Sequence, residues 1–334
     1  MPVGSKNPVI KNQKENRPPS KTEVGQIVSQ YKDGELALAE ALRMLAGKPG
    51  APTNAVPPAL SKERLQEIFA ELDQLIGLKN VKSVVKEIFA LLYMQERRRQ
   101  MHLKVEPVVL HMVFKGNPGT GKTTVARLLA QMFHACGLLE KGHLVEVERA
   151  DLVGEYIGHT AQKTREMVKK ALGGVLFIDE AYSLARGGER DFGRESIDAL
   201  VKAMEDHRNE FVAIIAGYER EMDWFLATNP GLPSRFPIHL SFPDYSVNEL
   251  LLIAKQTSTE RQYTLSPLAE AKLRSHFERG RNASAAFSNA RMVRNVVEKA
   301  VRRQAVRLFD ISNLTRQSAM SLMPEDFDLK EVSP

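Results

Sequence analysis

Residues 116–123 read GNPGTGKT, an octapeptide that satisfies the pattern GxxxxGK[ST]. The run LHMVFK leads in at 110–115 and KTTVARLLAQMF leads out from 122, so a strand passes through glycines into a helix. Glycine lets successive backbone amides turn toward one centre, and the helix N-terminus adds positive partial charge at the same point. A loop of this kind wraps phosphate oxygens. Gly116, Asn117, Pro118, Gly119, Thr120, Gly121, Lys122 and Thr123 are therefore the candidate nucleotide contacts. Lys122 is expected to reach the β- and γ-phosphates, and the Thr123 hydroxyl to ligate magnesium. Thr124 is given no metal role.

A second stretch, VLFIDEAY at 175–182, supplies what the loop lacks. An apolar strand ends in Asp179 and Glu180, at the carboxyl edge where open α/β sheets bind ligands. Asp179 is expected to hold magnesium through water. Glu180 is expected to orient and deprotonate an attacking water. Phosphoryl transfer asks mainly for positioning and charge neutralisation. A second carboxylate suits the activation of water better than transfer to a bound acceptor.

Between and beyond these stretches, short apolar runs alternate with helical segments: LHMVFK, LVEVE, VLFID, FVAIIAG and IHLSF. Strand-length runs separated by helices predict a five-stranded parallel sheet covered on both faces. After Pro243 no further strong strand is expected, and 246–262, 266–279 and 288–309 read as helices. The fold class is α/β followed by a small helical domain. The expected divisions are a disordered basic tail at 1–22, a short helical element and Pro/Gly linker at 23–58, the α/β domain at 59–243, the helical domain at 244–325 and a tail at 326–334.

The composition is that of a soluble globular protein: 334 residues, 43% hydrophobic and 26% charged. A net charge of +6 permits anionic partners without specifying one. Cys136 is the single cysteine, so no internal disulfide forms, and it falls in a helical apolar pattern as a buried side chain. The first twenty residues carry no apolar stretch of signal-peptide length, and no run approaches a membrane span. A cytoplasmic location is expected.

GNPGTGKTT, VLFIDEAYSL, NPGLPSRF and SNARMVRN, in this order, resemble the AAA+ ATPases. ADLVGEYIGHTAQKT and AGYEREMDWFLATNPGLPSRFPIHLSFPDY narrow the resemblance to the subfamily of the red-type Rubisco activase CbbX and the stage V sporulation protein K. HMVFKGNPGTGKTTVARL, ERADLVGEYIGHTAQKTR and FIDEAYSLARGGERDFG are nearest to the sporulation branch. The similarity covers roughly residues 70–310.

The resemblance implies an ATP-hydrolysing, magnesium-dependent ring, usually a hexamer, with active sites shared between subunits. It makes Arg235 the arginine finger offered to the neighbouring subunit, and Arg291 the arginine of the helical lid, with Arg294 one turn on as the alternative. Ile76 and Gly77 match the segment beside adenine; a buried Ile in a helix-start core is the other reading. The strand FVAIIAG departs from the family, ending in Ala216-Gly217-Tyr218 where a polar sensor is usual, so Tyr218 is the candidate left for that place. Tyr156 and Ile157 match the loop facing the central channel, where an aromatic and a branched side chain grip an extended polypeptide without regard to its sequence. Gly154 and Gly158 flank them.

The function so implied is ATP-driven remodelling of a partner protein, in endospore formation. A Rubisco-activase-like remodeller is the near alternative. A nucleic-acid loader is the further one, although no helix-turn-helix, zinc site or basic–aromatic interleaving is present. A small-molecule kinase is disfavoured by Glu180, Arg235 and the helical lid.

Overall fold

The computed structural model describes residues 62–156, 158–187, 191–283 and 288–329. The expected tail at 1–22, the helical element and linker at 23–58, and Ile157 lie outside the described residues. Helices α1 (Lys62–Gln74) and α2 (Lys79–Gln100) come first. The single helical pattern read from residue 61 onward is broken between them, because Gly77 (φ 67°) and Leu78 (φ 55°) both take the left-handed region.

The five expected strands form as β1 (Met112–Gly116), β2 (Leu144–Val147), β3 (Val175–Ile178), β4 (Val212–Gly217) and β5 (Ile238–Phe242). They pair in the order β2-β3-β4-β1-β5, all parallel. Between them run α3 (Lys122–Ala135), α4 (Arg149–Leu152), α5 (His159–Ala171), the short 3-10 helix Ala181–Ala185, α6 (Gly193–Asp206) and α7 (Glu219–Thr228). Every residue of β3 and β4 is buried, as strands covered on both faces require. Met112, Val113 and Phe114, the first three residues of β1, are 0% exposed, and their burial contributes roughly 2 kcal/mol each. One face packs Phe114, Phe177 and Phe242 with α1, α2, α3 and the lid; the other packs Val113, Leu176 and Ile215 with α5, α6 and α7.

The lid holds α8 (Val247–Glu260), α9 (Pro267–Ala283), α10 (Asn289–Leu308) and the short α11 (Arg316–Met320). A capping box starts α8: Glu249 N donates to Ser246 Oγ at 3.3 Å, and Glu249 Oε2 accepts from Ser246 N at 2.7 Å. Two features of the lid depart from expectation. A two-residue parallel pair, β6 (Thr264–Leu265) with β7 (Ser321–Leu322), appears where no strand was read. The boundary expected at 325 also falls inside packed structure, since Asp326 and Phe327 are each 1% exposed and Leu329 joins the core. Phe327 is apolar surface that α9 and α10 would otherwise leave to water, which is why residues 326–329 belong to the fold rather than to a tail.

Candidate active site

The site is built at the carboxyl ends of β1, β3 and β4. Gly116 ends β1 where a Cβ would run into the Phe242 backbone of β5, so only glycine fits there. Gly119 (φ 71°) and Gly121 (φ 97°) complete the turn into α3. Lys122 Nζ donates to the carbonyls of Gly116 and Asn117, each at 2.8 Å, which curls the side chain over the loop. Thr120 is 0% exposed and donates to Asn117 O at 2.8 Å, so its side chain braces the loop from within. Thr123 lies half-buried in the first turn of α3.

Asp179 follows β3, held there by its backbone N–H donating to Val147 O at 3.0 Å. Glu180 comes next in the left-handed region (φ 46°), with its N–H donating to Asp179 Oδ1 at 3.0 Å. The electrostatics of Lys122 gather these residues into one place. Burial holds its ammonium below the ordinary lysine pKa; Asp179, Glu180 and Asp244 oppose the shift, and Arg291 adds to it. Arg291 is exposed in the first turn of α10. Burial, with Glu249, pushes the Tyr245 phenol up to about 12, and Arg294, one turn on, is close enough to oppose that rise.

Ile76 is half-buried, between Leu75 and Leu78, which pack into the core. A Cβ on Gly77 would meet Glu249 Oε1 at 2.5 Å and Tyr245 at 3.4 Å, and one on Gly121 would meet Tyr245 and Leu78. The segment thus lies between the phosphate loop and the start of the lid. Tyr218 caps α7 with its ring 6.1 Å from that of the buried Tyr182.

Arg235 is not brought to the phosphate loop. It lines a separate cavity of about 400 Å³ with Val109, His111, Met204, Glu205, Arg208 and Ser234. Glu205 takes its Nη2, Gly231 O accepts from Nη1 at 2.8 Å, and its buried Nε has no hydrogen-bond partner. Tyr156 is 66% exposed on the loop before α5, with its ring 5.5 Å from His159. The two flanking glycines differ. Gly158 (φ 83°) is open on its Cβ side, whereas Gly154 is tightly packed against His159 and donates to Thr160 Oγ1 at 3.0 Å.

Three functional neighbours were missed by sequence reasoning: Asp244, Tyr245 and Asn289. Asn117 Nδ2 donates to both oxygens of Asp244, at 2.9 and 3.0 Å. Asn289 Nδ2 donates to Asp244 Oδ1 at 2.7 Å and to Pro118 O at 3.3 Å, and Asn289 Oδ1 accepts from Tyr245 N at 3.0 Å. Tyr245 OH donates to Thr120 O at 3.2 Å. The one available signal was Ser246-Val-Asn-Glu249, a capping-box pattern that places a helix start directly after Asp244-Tyr245.

With this strand order, a phosphate loop after β1 and paired carboxylates after β3 place the molecule among the phosphate-loop nucleoside triphosphatases. Residues 112–244 match the model of the ATPase family associated with various cellular activities, and residues 246–333 that of the AAA lid domain. The stage V sporulation protein K of Bacillus subtilis (strain 168) is 55% identical over 269 residues, 80% of this chain and 84% of that protein. A chloroplastic ribulose bisphosphate carboxylase/oxygenase activase of Cyanidioschyzon merolae is 47% identical over 267 residues, 79% of this chain and 91% of that protein. Among solved structures, the FIGL-1 AAA domain in complex with ADP matches 76% of this chain and 80% of its own, with a TM-score of 0.51 at 18% identity, a likeness of fold. The chain belongs to the AAA ATPase family, whose enzymes hydrolyse ATP. Among the described residues, no helix is long and apolar enough to cross a membrane.

Proposed function

We propose that the chain assembles as a ring, hexameric on the family pattern, and uses ATP hydrolysis to remodel a partner protein drawn against its central channel. The observation that carries this reading is Tyr156. A tyrosine 66% exposed, on a loop between two elements of the nucleotide domain, is poorly explained as packing. It is well explained as a gripping side chain, and Ile157 would grip beside it.

In each subunit the backbone N–H groups of residues 116–123, Pro118 excepted, and the Lys122 ammonium hold the phosphates, with Ile76 and Gly77 beside the base. Thr123 and Asp179 are hard oxygen donors at the ends of α3 and β3, a set that fits magnesium, which keeps waters and prefers few protein ligands. When bound, the ion neutralises charge on the β- and γ-phosphate oxygens. Glu180 orients a water and takes its proton as the water oxygen bonds to the γ-phosphorus and the bridging oxygen leaves with ADP. Arg235, remote from its own phosphate loop, would stabilise the transferred group in a neighbouring subunit. Arg291 reports the phosphate to the lid, and Tyr218 is the candidate polar sensor after β4.

The 55% identity to a stage V sporulation protein K favours a role in endospore formation, in the cytoplasm. The 47% identity to a Rubisco activase supports the same mechanism on a Rubisco partner. A substrate trap tests the proposal: proteins bound to Glu180→Gln in ATP are recovered from spore-forming cells and compared with those held when Tyr156→Ala is added. Loss of a defined protein with Tyr156→Ala is the expected result. Retention of the same set, or of nucleic acid alone, sinks the channel reading.

A further inference from the structure

The phosphate loop and the lid are joined by more than proximity. Asp244 lies in the link between β5 and α8, and its single carboxylate accepts from Asn117 of the loop and Asn289 of the lid at once. The Asn289 amide is otherwise committed to this corner. Asn289 is 0% exposed, takes the left-handed region (φ 46°), and bonds also to Pro118 O and Tyr245 N. The adjoining backbone closes the contact: Ala290 N donates to Gly119 O at 3.1 Å. A Cβ on Gly119 would collide with the Ser288 carbonyl and approach Arg291 N to 2.8 Å. Loop residues 118 and 119 are thus fastened directly to the first residues of α10, and 117 to them through Asp244. Arg291 stands in the same turn of that helix.

We infer that Asp244 is a positioning residue for ATP hydrolysis: it ties the phosphate loop through Asn117 to the lid through Asn289, so that loop geometry and lid orientation change together. The charge fits the task. A carboxylate accepts from two amide donors at once, which a neutral amide at the same place cannot do without opposing one NH2 to another. Asp244 also acts on Lys122, whose ammonium its charge favours. Because the tie holds loop residues rather than a remote surface, its loss should alter nucleotide affinity and lid movement in one step. The inference rests on the phosphate-loop assignment.

The test is a double-mutant cycle of Asn117→Ala and Asp244→Ala, read by two signals. The first is affinity for a fluorescent, slowly hydrolysed ATP analogue. The second is energy transfer from Trp224, the chain's single tryptophan, to a dansyl group on Val306→Cys in α10. Each single variant should weaken affinity roughly tenfold, the loss of a charge-assisted hydrogen bond. The double variant should lose no more than either. In all three the change in energy transfer on saturation with the analogue should fall to less than half that of the parent. Losses that multiply toward about a hundredfold, or a full change in energy transfer in the variants, overturn the inference. Lys122→Ala is the control: wild-type affinity there overturns the loop assignment itself, whatever the cycle reads.

Discussion

Lys122 shows how one side chain can carry two duties. Its ammonium is bonded to two carbonyls of its own loop, at 2.8 Å each, and its burial keeps it from water. A phosphate approaching this loop meets a positive charge already placed, so little ordering remains to be done on binding. Lys122→Ala removes the charge and both bonds. Nucleotide affinity is expected to fall roughly a hundredfold or more, the scale of two charge-assisted hydrogen bonds, and ring assembly is expected to fail with it. Equilibrium titration with a fluorescent nucleotide measures the first, and sedimentation the second; unchanged affinity would refute the loop reading. Cys136, read from the sequence as a buried helical side chain, instead caps the end of α3 and is half-buried. Its side chain is partly buried against the core, and burial pushes the thiol up to about 12, so it is protonated and unreactive at neutral pH.

At the scale of elements, two side chains join parts of the fold that the backbone ladder leaves to other contacts. His111, just before β1, accepts from the Ala213 N–H of β4 through Nδ1 at 3.0 Å. It is 4% exposed, and burial pushes its pKa down to about 4 from 6.5. The folded protein therefore holds a neutral imidazole. As pH falls from 6.5 to about 4, the unfolded chain takes up a proton that the folded chain refuses, so the contribution present above 6.5 is lost across that window. The size is about 3 kcal/mol. Denaturant melts of His111→Asn, which keeps an acceptor near Ala213, should show a shallower loss of stability between these pH values. An unchanged slope would assign the acid sensitivity elsewhere.

In the lid, Arg307 binds Asp326 through both carboxylate oxygens, at 2.7 and 2.8 Å, and Asp326 is 1% exposed. Asp326→Ala leaves the Met323 N–H without its acceptor and leaves Arg307 only Glu325 at 4.0 Å and water. A cost of about 1–2 kcal/mol is expected, the scale of a lost hydrogen bond to a charged group, since Arg307 is 29% exposed and keeps access to water. Chemical denaturation reads it, and a change below about 0.5 kcal/mol would show that residues 326–329 are not structural.

For the molecule as a whole, the important distance is the one between Arg235 and its own phosphate loop. Arg235 is held by Glu205 and Gly231 beside a cavity that none of residues 116–123 lines. On the proposed ring reading, a residue so placed would act on the nucleotide of a second copy. Arg235→Ala is expected to retain ATP binding within about threefold and to lose turnover by about a thousandfold, the scale of an arginine finger. Mixing Arg235→Ala with Glu180→Gln subunits should restore part of the activity, since some interfaces then pair an intact finger with an intact carboxylate. Phosphate release that stays at the level of the separate variants would count against a shared site.

Much of this was present in the chain before any tertiary contact was known. Gly116 to Thr123 could be read because a phosphate loop is local: its glycines, its lysine and the strand and helix around it lie within one short stretch. The five strands could be read because β1, β3 and β4 are buried apolar runs of strand length, and periodicity reports that burial directly. What the sequence alone left open was long-range. Asn117 and Asp244 stand 127 positions apart, Asn289 a further 45, and no local pattern marks two amides and a carboxylate as partners. The same holds for His111 and Ala213, and for Phe327, whose burial depends on helices formed much earlier in the chain. Local sequence marked residues 116–123 as the candidate phosphate contacts. Only the folding of the lid against the sheet decided which polar groups hold that chemistry in place, because a buried polar group must find its partner in space rather than in sequence.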